Sequence, residues 1–266
     1  MRGVQFTKMV ASGNDFIVID DIGRNYSKLA EGLCKRKRGV GADGLLVIGK
    51  SKKADFSMRI FNADGSQAEM CGNGLRCAVR YAYKHNPKKF KKNISIETID
   101  GIYKANIEGK NKVKIAMRPP KDINLNIPLR VKDRPIKVNY IDIGVPHTVI
   151  FVQGIEVIDI ESIGRSVRCH KKFKPRGANV DFVEIIDNEN IKMRTYERGV
   201  EGETLACGTG SVASAIISSF NSKGSVFKVN VHTMGGVLKV LFIKKGKQIK
   251  DVFLEGDAKE VYRGNY

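Results

Sequence analysis

Ser211-Val212-Ala213-Ser214-Ala215-Ile216-Ile217-Ser218-Ser219-Phe220 reads as a helix with small or apolar side chains around its whole circumference. A surface helix keeps one apolar stripe, whereas a helix without a polar face has to be enclosed on every side. In a chain of 266 residues whose other segments read mostly as short strands, that enclosure has to be β-structure. The helix follows Cys207-Gly208-Thr209-Gly210, and the other half of the chain carries the same device. There, Cys71-Gly72-Asn73-Gly74 precedes a helix from Leu75 to Tyr83 that holds Arg76 and Arg80 but is otherwise nearly apolar. The chain is expected to be built twice.

Strand-like runs surround each device, and several alternate apolar with polar residues as half-buried strands do. The first half offers Phe16 to Ile19, Gly44 to Ile48, Phe56 to Phe61, Ile94 to Thr98 and Val113 to Met117. The second offers Tyr140 to Ile143, Thr148 to Val152, Val180 to Ile185, Ile191 to Tyr196, Phe227 to Val231 and Val237 to Phe242. Between them Arg118-Pro119-Pro120 and a polar stretch to Asn126 read as a boundary, giving two domains of about 130 residues each. An amphipathic helix is predicted from Ser27 to Lys37, with Leu29, Leu33 and Cys34 on its buried face.

Composition excludes several classes. Residues 204–222 carry no formal charge, but eight Ser, Thr or Asn side chains and two glycines among them argue against hydrocarbon burial. No apolar stretch follows Met1-Arg2-Gly3-Val4-Gln5-Phe6-Thr7-Lys8, so a cytoplasmic protein without a signal peptide is expected. The five cysteines fit neither a disulfide framework nor a zinc pattern, and reduced thiols and no metal are expected, with Cys34, Cys77 and Cys169 as buried packing. The formal net charge of +19 is spread along the chain, acidic residues are interleaved, and no nucleic-acid signature accompanies the basic runs. A solvated lysine-rich surface is the expectation. Gly39-Val40-Gly41-Ala42-Asp43-Gly44 matches a dinucleotide fingerprint only literally: a helix precedes it and a strand follows, the reverse of the required order, so it is a turn.

The two cysteines carry the chemistry. A thiol at a helix start lies at the positive end of the macrodipole, which favours the thiolate and makes it a usable base. Glycines behind it let a carboxylate approach the unpaired N–H groups of the first turn. Polar loops from Asn62 and from Tyr196 deliver the chain to these thiols. Asn14, in Ser12-Gly13-Asn14-Asp15-Phe16, is either an Asx turn or an amide placed in a cleft. Arg198 either holds a carboxylate or pairs with Glu201 or Glu203. His147, after Pro146, is either a structural histidine or one that orients or polarises a thiol.

At these residues the chain resembles the diaminopimelate epimerase family. The resemblance runs in order through Gly13-Asn14-Asp15-Phe16, Arg38 to Gly44, Phe61-Asn62-Ala63-Asp64-Gly65-Ser66, Met70 to Cys77, Pro146-His147, Asn179-Val180-Asp181-Phe182, Tyr196-Glu197-Arg198-Gly199 and Glu203 to Gly210. It implies an α+β fold of two similar halves, each a curled, mostly antiparallel sheet around a central helix. Residues 1–118 with about 255–266 would carry Cys71, residues 119–254 would carry Cys207, and the active site would lie in the cleft between them.

The resemblance also implies a reaction: cofactor-independent epimerisation of LL-diaminopimelate to meso-diaminopimelate, with Cys71 and Cys207 as the two catalytic bases. The N–H groups of Gly72, Asn73, Gly208 and Thr209 would hold the carboxylate. Asn14, Asn62, Asn179, Glu197 and Arg198 would grip the far amino acid end, with His147 near the thiols. A small-molecule substrate, a homodimer, and no nucleic-acid or membrane partner go with it. Three positions depart from the family pattern: Val145 where many members have Asn, Gly44 where some have Gln, and an added loop residue at Glu201. Weighed against this are a proline-racemase-like enzyme with another distal pocket, a related dehydratase that lacks one thiol, a thiol redox protein, and a nucleic-acid-binding protein.

Overall fold

The computed structural model describes residues 3–132 and 134–266; Met1 and Arg2, the start of the leader reading, lie outside the described residues. The chain divides into two compact units, Met1–Ala116 with Glu255–Tyr266, and Met117–Leu254.

In the first unit β1 (Gln5–Ala11) and β2 (Asn14–Asp20) form an antiparallel pair. Helix α1 (Tyr26–Leu33) crosses over to β3 (Gly44–Gly49), which lies parallel to β2 and antiparallel to β4 (Phe56–Asn62). The short β5 (Gln67–Ala68) folds back on β4 and leads to α2 (Gly72–His85). Beyond α2, β6 (Asn93–Thr98) returns parallel to β4, and β7 (Gly101–Ile107) and β8 (Lys112–Ala116) continue antiparallel.

The second unit repeats the order after one added strand. β9 (Asp122–Val131) pairs antiparallel with β10 (Arg134–Asp142), and β10 with β11 (Pro146–Phe151). Helix α3 (Ile160–Arg168) crosses to β12 (Asn179–Ile185), parallel to β11, followed by β13 (Asn190–Glu197) and β14 (Gly202–Thr204). Helix α4 (Gly208–Ser218) precedes β15 (Val226–Thr233), parallel to β13, then β16 (Gly236–Lys245) and β17 (Gln248–Asp257). The last strand, β18 (Lys259–Asn265), pairs with β1 as β9 pairs with β10. The two parallel joints in each unit sit where a helix makes the crossover that parallel strands require.

Each sheet curls around its second helix. Helix α2 packs against β1, β2, β3, β4, β7, β8 and β18, and α4 against β10, β11, β12, β13, β15 and β16. Val212, Ala213, Ala215 and Ile216 are completely buried, as an all-apolar circumference demands. The charge-free run from 204 to 222 is thus an 11-residue helix and its flanks. Among the described residues no helix is long and apolar enough to cross a membrane.

Three local expectations need correction. The polar stretch after Pro120 is not all boundary: Asp122 to Asn126 belongs to β9, a strand whose exposed positions alternate with half-buried ones. Helix α1 ends at Leu33 instead of Lys37, because Gly41 N–H and Ala42 N–H turn back onto the carbonyls of Leu33 and Cys34 at 2.9 and 3.1 Å. Gly41 has φ +79°, and a Cβ on Gly39 would stand 2.3 Å from the Gly32 carbonyl, so this glycine pair serves the turn. Cys34 and Cys77 are buried, but Cys169 is exposed because it caps α3 where that helix reaches the surface.

Helix α4 ends on a buried cation. Lys244 Nζ donates to the carbonyls of Ser219, Phe220 and Ser222 at 3.2, 2.6 and 2.7 Å and stands 5.0 Å from the centre of the Phe227 ring. A Lys244→Met variant should lose about 1–3 kcal/mol in urea unfolding, because these carbonyls lose their donor. A loss under about 0.5 kcal/mol would show that water replaces the ammonium without cost.

Candidate active site

Both central helices begin on a sulfur. Cys71 caps α2 and Cys207 caps α4, each with extended backbone and each accepting the N–H of the residue three on, Gly74 or Gly210, at 3.4 Å. Ser, Thr, Asn or Asp would cap more strongly, since sulfur is a weak acceptor, so both helices use a weaker cap and gain a thiol. Packing excludes a side chain at Gly210, where a Cβ would stand 2.5 Å from Asp181 Oδ1, and leaves Gly74 tight, its Cβ position 3.2 and 3.4 Å from the Leu46 and Ile60 side chains. All five cysteines are thiols.

In the first unit Cys71 is half-buried, and the amide of Asn73 behind it is almost wholly buried. Asn73 Nδ2 donates to Asn14 Oδ1 at 2.5 Å, and Asn14 Nδ2 donates to Asp43 Oδ2 at 3.0 Å. Asn14 is therefore tied to the turn behind the thiol. Asn62 is exposed at the end of β4 and donates to Ser66 Oγ at 2.9 Å. The sequence reading assigned no role to Arg76, which donates to Asn73 Oδ1 and Ser12 Oγ, both at 2.8 Å. A charge inside a helix that must be enclosed was the available signal.

In the second unit a hydrogen-bonded chain leads to Cys207. His147 is completely buried, with Nδ1 at 2.7 Å from Asp181 Oδ2 and Nε2 at 3.0 Å from Thr209 Oγ1. The carboxylate fixes the proton on Nδ1, so Nε2 accepts from the Thr209 hydroxyl, an assignment made from the network. Thr209 Oγ1 in turn lies 3.4 Å from Cys207 Sγ. Asn179 Nδ2 is 3.4 Å from the same His147 Nε2, while its Oδ1 accepts the Arg198 N–H at 2.7 Å. Asp181 also accepts the Thr195 hydroxyl at 2.9 Å. Asp181 lies inside a motif block that the sequence made visible, but nothing in one sequence aims it at His147.

Glu197 accepts a short hydrogen bond from the Thr204 hydroxyl. Burial raises its carboxyl, opposed by Thr204, by His147 and by a hydrogen bond with Cys207, with Asp181 adding to the rise. Arg198 does not use the carboxylates offered by its loop. Arg168 holds Glu201 at 2.7 Å and Arg194 holds Glu203 at 2.6 Å, while Arg198 Nη1 reaches the Arg176 carbonyl at 3.4 Å. Glu201, the added residue, takes a left-handed backbone with φ +57°. At Gly44 a Cβ would stand 2.8 Å from the Phe61 carbonyl. Val145 lends its carbonyl to the Ile143 N–H at 3.3 Å.

The expected electrostatics fail at Cys207. A helix start should favour the thiolate, yet burial first, then Glu197 and Asp181, push this thiol well above its ordinary value, against the Thr209 and Gly210 hydrogen bonds. A macrodipole offers about half a charge. Desolvation beside two carboxylates outweighs it. Cys207 is thus held in its thiol form. Among the described residues no group of three or more His, Cys, Asp and Glu side chains is arranged to hold a metal ion.

Comparison with known proteins agrees with the residue blocks. The sequence model of the family described as diaminopimelate epimerase matches residues 6–123 and 139–261. The diaminopimelate epimerase of Caldanaerobacter subterraneus subsp. tengcongensis is 43% identical over 278 residues, covering 98% of each chain. That of Aquifex aeolicus is also 43% identical, over 98% of this chain and 97% of the relative. Among solved structures, a Bacillus anthracis phenazine biosynthesis protein of the PhzF family superposes with TM-score 0.78 at 16% identity, over 100% of this chain and 99% of that one. A probable proline racemase from Agrobacterium radiobacter K84 gives 0.73 at 16% identity, over 99% and 92%. At such identities the two structures speak for the fold alone, an α+β architecture of mixed, mostly antiparallel sheets with few helices.

The high proton affinity at Cys207 has a direct readout. Its alkylation by iodoacetamide, followed by mass spectrometry of the Cys207 peptide, should still be accelerating above about pH 9, beyond the ordinary thiol range. A rate that levels off below about pH 8 would show the dipole winning after all.

Proposed function

The chain belongs to the diaminopimelate epimerase family, and we propose that it interconverts LL- and meso-diaminopimelate by inverting one α-carbon, without a cofactor, with Cys71 and Cys207 as the two acid–base groups. The observation that carries the reading is the repeated thiol cap: in each unit a cysteine and the N–H groups of a helix first turn come as one piece. Inversion needs a base on one face of the carbon and an acid on the other. A thiolate and a thiol meet that need when each unit brings one to the substrate.

An α-hydrogen is a very weak acid, so the carbanion that forms has to be stabilised through the adjacent carboxylate. The N–H groups of Gly72, Asn73, Gly208 and Thr209 are fixed donors suited to that task, since dipoles already aimed at a developing charge need no reorganisation. Cys207, with its proton held by burial and by Glu197 and Asp181, supplies the acid, and Cys71 supplies the base. In the reverse direction the roles exchange. His147 and Thr209, bonded in line with Cys207, hold the thiol in place beside the substrate.

The far amino acid end of the substrate is assigned to Asn14, Asn62, Asn179, Glu197 and Arg198. Arg198 supports this directly, because its loop carboxylates are occupied by Arg168 and Arg194 and its guanidinium keeps donors for an incoming carboxylate. Glu197 acts on Cys207 as well, which gives it a part in holding the proton. Family membership supports a cytoplasmic enzyme and a homodimer within the same reading.

In deuterated buffer, LL-diaminopimelate should exchange its α-hydrogen and gain the meso isomer with the wild type. Cys71→Ala and Cys207→Ala should each lose epimerisation by about a thousandfold or more. Wild-type rates in either variant would end the two-thiol mechanism, and faster turnover of proline or hydroxyproline than of diaminopimelate would end the substrate assignment.

A further inference from the structure

Arg76 has no exposed surface, and nothing in the proposed reaction uses it. Removing one partner from a buried charge is costly, and keeping such a charge is seldom the stablest way to fill a core, so its contacts indicate what it does. Nη1 donates to the Gly72 carbonyl at 3.4 Å and Nη2 to Asn73 Oδ1 at 2.8 Å, both in the first turn behind Cys71. Nη2 also donates to Ser12 Oγ at 2.8 Å, and Nε to the Asp257 carbonyl at 3.2 Å. The carboxylate of Asp257 is engaged by Ser12, whose N–H and hydroxyl lie 3.0 and 3.2 Å from Oδ1. The guanidinium thus binds two oxygens of the turn behind Cys71, while the Asp257 carboxylate is held by Ser12 and by Lys259 at 3.4 Å.

We propose that Arg76 is the positioning residue that makes Cys71, and not Cys207, the thiolate of the resting enzyme. Reading Cys71 as a base rests on the proposed epimerase function. The assignment of the charge to Cys71 stands on the arrangement around each thiol. A cation buried against the turn stabilises an anion at its cap more than the same cation would in water. Its bonds to Gly72 and Asn73 also fix the N–H groups that the substrate carboxylate needs. In the second unit the charged groups acting on Cys207 are Glu197 and Asp181, of the opposite sign.

Several charged groups on the elements packed against α2 are engaged elsewhere, and on α2 itself Arg80 reaches the Gly109 carbonyl at 3.4 Å. From β3 and β4 the side chains facing the helix start are Leu46 and Ile60, and β7 and β8 bury Tyr103, Ala105, Val113 and Ile115. On β2, Asp15 is tied to Lys8 of β1 and to Arg36, and Asp43 before β3 is tied to Arg36 and Asn14. Glu260 of β18 meets Lys84 and His85 at the opposite end of the helix. On α2 itself Cys77 is completely buried and its thiol is pushed far up by burial, so it remains neutral. Burial lowers the proton affinity of Arg76, while Cys77, Cys71 and Asp257 raise it, which places the thiol of Cys71 within electrostatic reach of the guanidinium.

The sign follows: removing the cation raises the pH at which Cys71 becomes a thiolate and leaves Cys207 where it is. The test is iodoacetamide alkylation from about pH 6 to 10, across the thiol range, read separately for the Cys71 and Cys207 peptides. In the wild type Cys71 should reach half-maximal rate at lower pH than Cys207. Arg76→Met replaces the buried cation by an apolar side chain, costs stability because Gly72, Asn73, Ser12 and Asp257 lose their donor, and is therefore read on the folded protein beside Arg76→Lys. It should move the Cys71 midpoint up by about one unit or more, with Cys207 unmoved, whereas Arg76→Lys should stay within about half a unit of wild type. Cys207 titrating first in the wild type overturns the proposal without any variant, as does a folded Arg76→Met protein whose Cys71 midpoint stays put, or an Arg76→Lys shift as large as that of Arg76→Met. Alkylation needs no substrate, so lack of diaminopimelate turnover beside an intact midpoint shift would remove the epimerase reading alone.

Discussion

The first turn of a helix presents N–H groups with no partner inside the helix, and in the proposed reaction those of each unit have to remain available while the rest of the helix is buried. The curled sheets satisfy both demands. They cover α2 and α4 over most of their length, and the polar loops after β4 and β13 bring the chain to the capping cysteine. The weak sulfur cap, the glycines at Gly74 and Gly210 that let neighbours close in, and the small side chains along α4 all follow from that requirement.

Position on the helix does not decide ionisation. Both thiols occupy the same cap, with the same 3.4 Å contact to an N–H three residues on, so the macrodipole acts on both alike. Their linings differ: Arg76 lies behind one, Glu197 and Asp181 beside the other. A half charge at a helix end is smaller than the unit charges of these side chains, and all of them act in a medium that screens poorly.

Much of this was legible in the sequence. The enclosed helix showed in Ser211 to Phe220, and β3, with its continuous apolar run, and β12 were readable within a residue or two of their ends. Strands β1, β7, β9, β17 and β18 were not, because their lysines and other polar residues break the alternation, and β9 keeps most of its side chains half-buried or exposed. Helix α3 had a signal that went unused: Asp159 as cap and Ile160, Gly164 and Val167 on one face. In the site, the cysteines, His147 and the Asn and Arg residues stand in recognisable blocks. Arg76, Ser12 and Asp257 are joined only by the fold, since Asp257 returns from the far end of the chain to bond Ser12. A one-dimensional pattern carries periodicity and caps, but not which buried charge ends beside which thiol.

The duplication itself explains why the two linings diverge. Two copies of one unit, each with its own strand order, crossover helix and thiol cap, would offer two thiols of equal proton affinity. The proposed inversion needs them unequal at the start of every turnover, one ionised and one protonated. Such a difference cannot come from cap geometry without breaking the repeat that encloses each helix. It can come from side chains behind the cap, where a guanidinium in one unit and the carboxylates of Glu197 and Asp181 in the other change the local field while strands and helices stay in register. The fold is therefore repeated where packing is decided and dissimilar where the proton is decided.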